Sequence, residues 1–159
     1  MMKILSALLL AAVCGSAAAA ELQSWDGSAP QHTASLKAPL RIINLWATWC
    51  APCRKEMPAM SAWYQKQKKG SVDMVGIALD SRENIAKFLK QTPVAYPVWR
   101  YTGNDSRSFM KSLGNTVGGL PFTVVEAPKC AYKQTVLGEV TAAKLDQALA
   151  KARAKCGYS

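Results

Sequence analysis

The sequence predicts an α/β domain, a central mixed β-sheet covered by helices on both faces. Three observations carry that expectation. From Arg41 to Leu113, short apolar runs of strand length alternate with segments whose apolar residues recur every three or four positions. Two further strand-like runs, Phe122–Glu126 and Tyr132–Leu137, are separated by a turn at Pro128 and Lys129 and followed by one more helical segment. The chain has 159 residues and no internal repeat, which suits one domain with its own core. Parallel neighbours in such a sheet would be joined by right-handed crossovers.

Residues 1–20 read as a cleaved signal peptide. Lys3 supplies a positive start, and Ile4–Val13 is an apolar stretch too short to cross a bilayer. Ala18, Ala19 and Ala20 form the small-residue pattern of a cleavage site after Ala20. Cys14 raises a second reading, a lipid-anchored envelope protein. Val13 weighs against it, because a small residue usually precedes a lipidated cysteine. Either reading implies export, and the periplasm is the expected location.

Residues 21–36 are polar and broken by Gly27 and Pro30, so an irregular or weakly paired lead-in is expected before a domain over 37–159. Arg41–Trp46 reads as a buried strand, followed by a loop through Ala47–Trp49 and a helix from about Cys53 to Lys68. Met57, Met60 and Tyr64 share a face of that helix, and Gly70 stops it. Val72–Leu79 is the next strand. Asp80, with Glu83 three residues on, reads as the cap of a helix that runs to about Gln91 and buries Ile85, Phe88 and Leu89. Pro93 and Pro97 break the chain before a short strand, Val98–Tyr101. Asn104 or Asp105 caps a helix to about Leu113. Gly138 ends the last strand, and Thr141 caps a final helix that buries Leu145, Ala148, Leu149 and Ala152.

The formal net charge is +10, one less without Lys3. Such a balance can favour anionic partners or membrane surfaces. The basic residues are scattered, however, with only Lys66, Lys68 and Lys69 clustered, and no basic stripe is interleaved with aromatics. Nucleic acid is therefore not an expected partner.

The most informative pattern is Cys50-Ala51-Pro52-Cys53, where a strand passes into a helix. The spacing suits a disulfide across the first helical turn. It also puts Cys50 at a helix N-terminus, where unpaired N–H groups and the helix dipole favour a thiolate. Cys50 is expected to attack a partner disulfide and Cys53 to resolve the mixed disulfide. Pro52 loses nothing at the helix start by lacking an N–H. The reactive group would be the Cys50–Cys53 disulfide itself, so no cofactor is expected. Two other readings are half of a zinc site and a purely structural disulfide. Zinc needs two more ligands. His32 is the one histidine and lies in the lead-in, and Cys130 and Cys156 are not closely spaced, so no metal is expected.

Cys130 and Cys156 form a second candidate pair. The strand from Cys130 to Gly138 spans roughly 26 Å at extended rise. The final helix returns over roughly 22 Å, which brings Cys156 back near the hairpin tip. A structural disulfide there would contribute about 3–4 kcal/mol on the chain-entropy model. The alternative is two free or intermolecular thiols.

The segment from Asn44 to Pro58 (Asn-Leu-Trp-Ala-Thr-Trp-Cys-Ala-Pro-Cys-Arg-Lys-Glu-Met-Pro) resembles the active-site segment of the TlpA/ResA group of thioredoxin-like proteins. Gly118-Gly119-Leu120-Pro121-Phe122-Thr123 resembles that group's Gly-x-Pro-Thr-like segment, and Gly138 its glycine before the last helix. The likeness spans about residues 37–152. It implies a thioredoxin fold in which Pro121 is cis, faces the cysteines, and crowds the dithiol against metal. It implies that the backbone of Leu120 pairs with the substrate, with Trp49, Ala51 and Pro52 on the substrate-facing surface. It also implies that Glu56 tunes cysteine acidity and proton transfer; the bland alternative is a solvated helix residue. Asn44 stands where thioredoxin itself has a buried acid, which leaves proton transfer to Glu56 or water. Trp46, Met57 and Met60 are expected in the core.

The resemblance implies an exported thiol-disulfide oxidoreductase. Its partners would be disulfide-containing exported proteins, of the cytochrome c or copper-site assembly type, and a membrane-bound thiol reductant. No histidine lies between the two cysteines, which favours a reductant over a strong oxidant. The alternatives are a disulfide oxidase or isomerase, and a metal-delivery or binding module on the same fold. The sequence carries no signature of oligomeric state.

Overall fold

The computed structural model describes residues 21–158. The signal-peptide reading of residues 1–20, with Cys14, lies outside them. In chain order the elements are β1 (Leu22–Ser24), β2 (Pro30–Gln31), β3 (Leu40–Trp46), α1 (Ala51–Gln65), β4 (Val72–Ala78), α2 (Arg82–Gln91), β5 (Val98–Tyr101), α3 (Ser106–Ser112), β6 (Phe122–Ala127), β7 (Tyr132–Leu137) and α4 (Ala142–Cys156). The strands form one seven-stranded sheet in the order β2-β1-β5-β4-β3-β6-β7. β3, β4 and β5 run parallel, and β6, β7 and β1 join antiparallel. The mixed sheet with helices on both faces is the expected α/β architecture, and it is that of the thioredoxin fold.

Burial explains the order. β3 and β4 are buried almost throughout and lie at the centre, as continuous apolar runs do when both sheet faces are covered. β7 alternates between partly buried and exposed residues and forms an edge. Alternation along β3 divides its side chains between two cores. Ile42 and Trp46 pack with Met57, Met60 and Trp63 of α1, Ile85 of α2 and Leu145 of α4. Ile43 and Leu45 pack on the other face with Val75, Ile77, Val124, and Met110 of α3.

Three details differ from the sequence expectations. The polar lead-in is more ordered than its composition suggests: β1 pairs antiparallel with β5, and Leu22 is buried. Covering β5 removes an open sheet edge, a gain that no local pattern reveals. The helix carrying the cysteines starts at Ala51, not Cys53, and ends at Gln65, not Lys68. Cys50 itself is the cap, its sulfur accepting the Cys53 N–H. Finally, Ser81 caps α2 in place of Asp80, accepting the Asn84 N–H. The Asp80 carboxylate is drawn instead to Thr48, in the loop before Cys50.

Candidate active site

The site is assembled at the end of the sheet where β3 leaves for α1. β6 pairs with β3 so that Phe122 stands opposite Leu45, and β7 pairs with β6 so that Leu137 stands opposite Phe122. These registers bring three loops to one end: Ala47–Cys50, the segment before Phe122, and the β7–α4 connection. The Leu120–Pro121 peptide is cis. The Pro121 carbonyl accepts the Gly138 N–H at 2.9 Å, tying the second loop to the third.

Cys50 and Cys53 are joined as a disulfide across the first turn of α1, with their Cα atoms 5.3 Å apart. The Cys53 N–H donates to Cys50 Sγ at 3.3 Å. Cys50 keeps 6% exposure and Cys53 none. Partner access therefore favours Cys50, while Cys53 is placed to be reached only from within. Ala51 and Pro52 are exposed beside the disulfide. Trp46 is fully buried, whereas Trp49 is 71% exposed.

Trp49, Val117 and Leu137 are the exposed large hydrophobic residues among those described. All three lie in or next to the site loops. Leu137 closes over the second loop, since a Cβ at Gly119 would stand 3.0 Å from its Cδ1. An apolar rim around a reactive disulfide suits a polypeptide partner.

Two anchors hold these loops. The Asp80 carboxylate accepts the Thr48 N–H at 3.0 Å and the Thr48 hydroxyl, and also the Ser81 N–H and the Asn84 side chain. Partial burial works against its charge, but the hydrogen bonds from Thr48, Asn84 and Ser81 outweigh that and hold the carboxyl below its usual range. Buried Asn115 clamps the second loop: its amide donates to the Gly119 carbonyl at 2.7 Å and accepts the Gly118 N–H at 2.9 Å.

Glu56 is buried one turn along α1 from Cys53, with 3% of its surface exposed. Its Oε1 accepts the Asn44 side-chain amide at 2.9 Å and its Oε2 the Val140 N–H at 2.8 Å. Burial pushes its carboxyl up to about 7, against the lowering effect of the Val140 and Asn44 hydrogen bonds. Glu139 adds to the rise and Lys144 opposes it. An acid of that strength can both take and return a proton near neutral pH.

The structure thus brings Cys50, Cys53, Glu56, Trp49, Ala51, Pro52, Leu120 and Pro121 to one end of the molecule. Cys130 and Cys156 form a disulfide at the other end, with Cα atoms 5.6 Å apart, joining the turn after β6 to the last residue of α4. Sequence reasoning did not single out Asp80 as a loop anchor, or Asn115, Thr123, Val117 and Leu137. Asn115 carried a weak signal, an amide three residues before a glycine pair. The others depend on strand register.

A profile of the AhpC/TSA family matches residues 15–125. The chain is 31% identical over 106 residues to the thiol-disulfide oxidoreductase ResA of Oceanobacillus iheyensis, covering 66% of this chain and 53% of that protein. It is 33% identical over 118 residues to the ResA of a Bacillus cereus strain, covering 73% and 65% respectively. It therefore spans between half and two thirds of the length of these curated relatives. A crystal structure described as a thioredoxin-related protein from Neisseria meningitidis serogroup B shares 68% identity, covers 84% of this chain and 99% of its own, and superposes with a TM-score of 0.82. A cysteine pair capping a helix at the end of a mixed sheet and a family profile across most of the chain agree: the chain belongs to the AhpC/TSA family of thioredoxin-fold proteins.

Proposed function

We propose that the chain is an exported thiol-disulfide oxidoreductase that reduces disulfides of periplasmic client proteins and is recharged by a membrane-bound thiol reductant. The observation that carries this reading is the asymmetry of the dithiol: Cys50 at a helix N-terminus keeps a sliver of exposure, and Cys53 has none, with a buried acid one turn behind it.

In the reduced protein, the Cys50 thiolate attacks a client disulfide. A bond forms between Cys50 and one client sulfur, the client S–S bond breaks, and the other client sulfur leaves as a thiolate and takes a proton from solvent. Cys53 then passes its proton to the Glu56 carboxylate and attacks Cys50. The Cys50–Cys53 disulfide forms as the remaining client sulfur leaves and is protonated in turn. Two electrons and two protons reach the client, and the membrane donor returns them to the dithiol. Trp49, Ala51, Pro52 and the backbone of Leu120 form the client-facing surface, and the Cys130–Cys156 disulfide serves stability alone.

Cytochrome c and copper-site assembly proteins are the clients to try first. The reduction potential of the Cys50–Cys53 couple tests the direction. A value at or below about −230 mV places it with reductants. A value of about −120 to −180 mV places it with oxidants and isomerases and overturns the reductase reading.

A further inference from the structure

Both oxygens of Glu56 face donors, the Asn44 amide and the Val140 N–H. That suits the ionised carboxylate, which only accepts. A protonated carboxyl must also donate, and a main-chain N–H cannot accept. Asn44 can. Its Nδ2 serves both Glu56 and, at 3.1 Å, Thr123 Oγ1, while its own Oδ1 is buried with no hydrogen-bond partner among the described residues. The Thr123 hydroxyl can accept or donate. A half-turn of the Asn44 amide would therefore present Oδ1 to a Glu56 O–H and a Thr123 O–H together, with neither neighbour displaced.

We propose that Asn44 is a positioning residue for the proton step, a two-way amide that serves Glu56 in both protonation states and whose turn is matched by the Thr123 hydroxyl. Thr123 lies two residues beyond Pro121, so the amide also links the proton acceptor to the strand that follows the client-facing loop. The inference rests on the reading of Glu56 as the proton acceptor. An aspartate at position 44 would set a second carboxylate against Glu56, and the two could not both ionise freely. An apolar residue would leave Oε1 without its donor.

The groups facing Glu56 come from several elements. Asn44 belongs to β3, and Glu139, the Val140 N–H and Lys144 to the β7–α4 connection and α4. Lys55 pairs with Glu139 at 3.2 Å. Tyr96 comes from the segment before β5; its hydroxyl is buried without a partner among the described residues, and burial, then the Glu56 charge, raises its hold on its proton. The Tyr96 ring lies over Gly76, the residue across from Asn44 in β4; a Cβ there would stand 3.1 Å from the ring.

The test is the pH dependence of mixed-disulfide resolution in the full chain, using a peptide disulfide as client. Wild type, Asn44→Leu, Thr123→Val, Glu56→Gln and the Asn44→Leu/Glu56→Gln pair are compared. Glu56→Gln should remove one ionisation from the profile. Asn44→Leu should move that ionisation upward by about one pH unit or less, because the amide holds the carboxylate by a charged hydrogen bond and the protonated form by a weaker neutral one. Thr123→Val should move it less, and the double variant should match Glu56→Gln. In wild type the Asn44 side-chain amide NMR signals should titrate with Glu56. An unmoved profile in folded Asn44→Leu, beside a changed one in Glu56→Gln, overturns the role of Asn44 and leaves that of Glu56. An unchanged profile in Glu56→Gln overturns the Glu56 reading itself. If Asn44→Leu does not fold, Asn44 amide signals indifferent to the Glu56 titration overturn the proposal.

Discussion

The molecule holds two disulfides whose Cα separations are nearly equal, 5.3 Å for Cys50–Cys53 and 5.6 Å for Cys130–Cys156. Everything else about them differs. The first spans three positions of sequence and the second twenty-six. The first caps a helix, with exposed Trp49, Val117 and Leu137 on the loops around it and a buried carboxyl behind it. The second joins a turn to a helix end, and among the described residues none of the exposed large hydrophobics lies there. A disulfide is thus given its role by what surrounds the sulfurs. A helix start, an apolar rim and a proton acceptor suit exchange, whereas a long closed loop suits stabilisation.

That contrast can be broken most directly by removing one bond at a time. Cys50→Ser should abolish reduction of an insulin disulfide while leaving the fold intact. The Cys130→Ser/Cys156→Ser pair should do the reverse, keeping turnover while lowering the unfolding free energy by about 3–4 kcal/mol, read from urea midpoints. Substantial loss of turnover in the folded pair variant would erase the division of labour.

A second, slightly smaller effect sharpens the environment of the first disulfide. Folding raises the Glu56 carboxyl from 4.5 to about 7, so the folded state binds its proton more tightly than the unfolded state does. The associated stability is complete below pH 4.5 and is lost as pH rises to about 7, a decline of about 3 kcal/mol. Urea midpoints between pH 4 and 8 should show that slope in wild type and a flatter one in Glu56→Gln.

The smallest effect concerns the rim. Trp49→Ala should raise the KM for a protein client about tenfold, equivalent to about 1.4 kcal/mol of binding. Leu137→Ser should raise it less. Both should move stability by about 0.5 kcal/mol or less, as exposed substitutions do. An unchanged KM in both would remove the apolar rim from client binding.

Much of this was legible in the chain. Strand and helix order followed from periodicity, and Thr141 and Asp105 capped α4 and α3 as their residue types suggest. The Cys-x-x-Cys spacing suited a disulfide across the first helical turn, which the structure holds, while its chemistry was read from the flanking residues that carry the family resemblance. Asp80 misled because two roles compete for one carboxylate: the residue type suits an N-cap, but the Thr48 loop lies within reach only once β3 and β4 are paired. The lead-in was legible only as irregular or weakly paired, because β1 has only three residues and acquires its order from β5.

By itself the sequence determined the alternation of elements, the paired cysteines at a helix start and the apolar faces that had to be buried. Those are consequences of local spacing and residue type. Tertiary structure alone decided that Glu56 meets Asn44 and Val140, eighty-four positions apart for the latter, and that Thr123 stands opposite Asn44 across β3 and β6. It alone gathered Trp49, Val117 and Leu137 at one end of the sheet. The physical reason is register. A strand's neighbour is chosen by which faces must be buried together, and that choice, made over the whole sheet, places distant polar groups within hydrogen-bond reach.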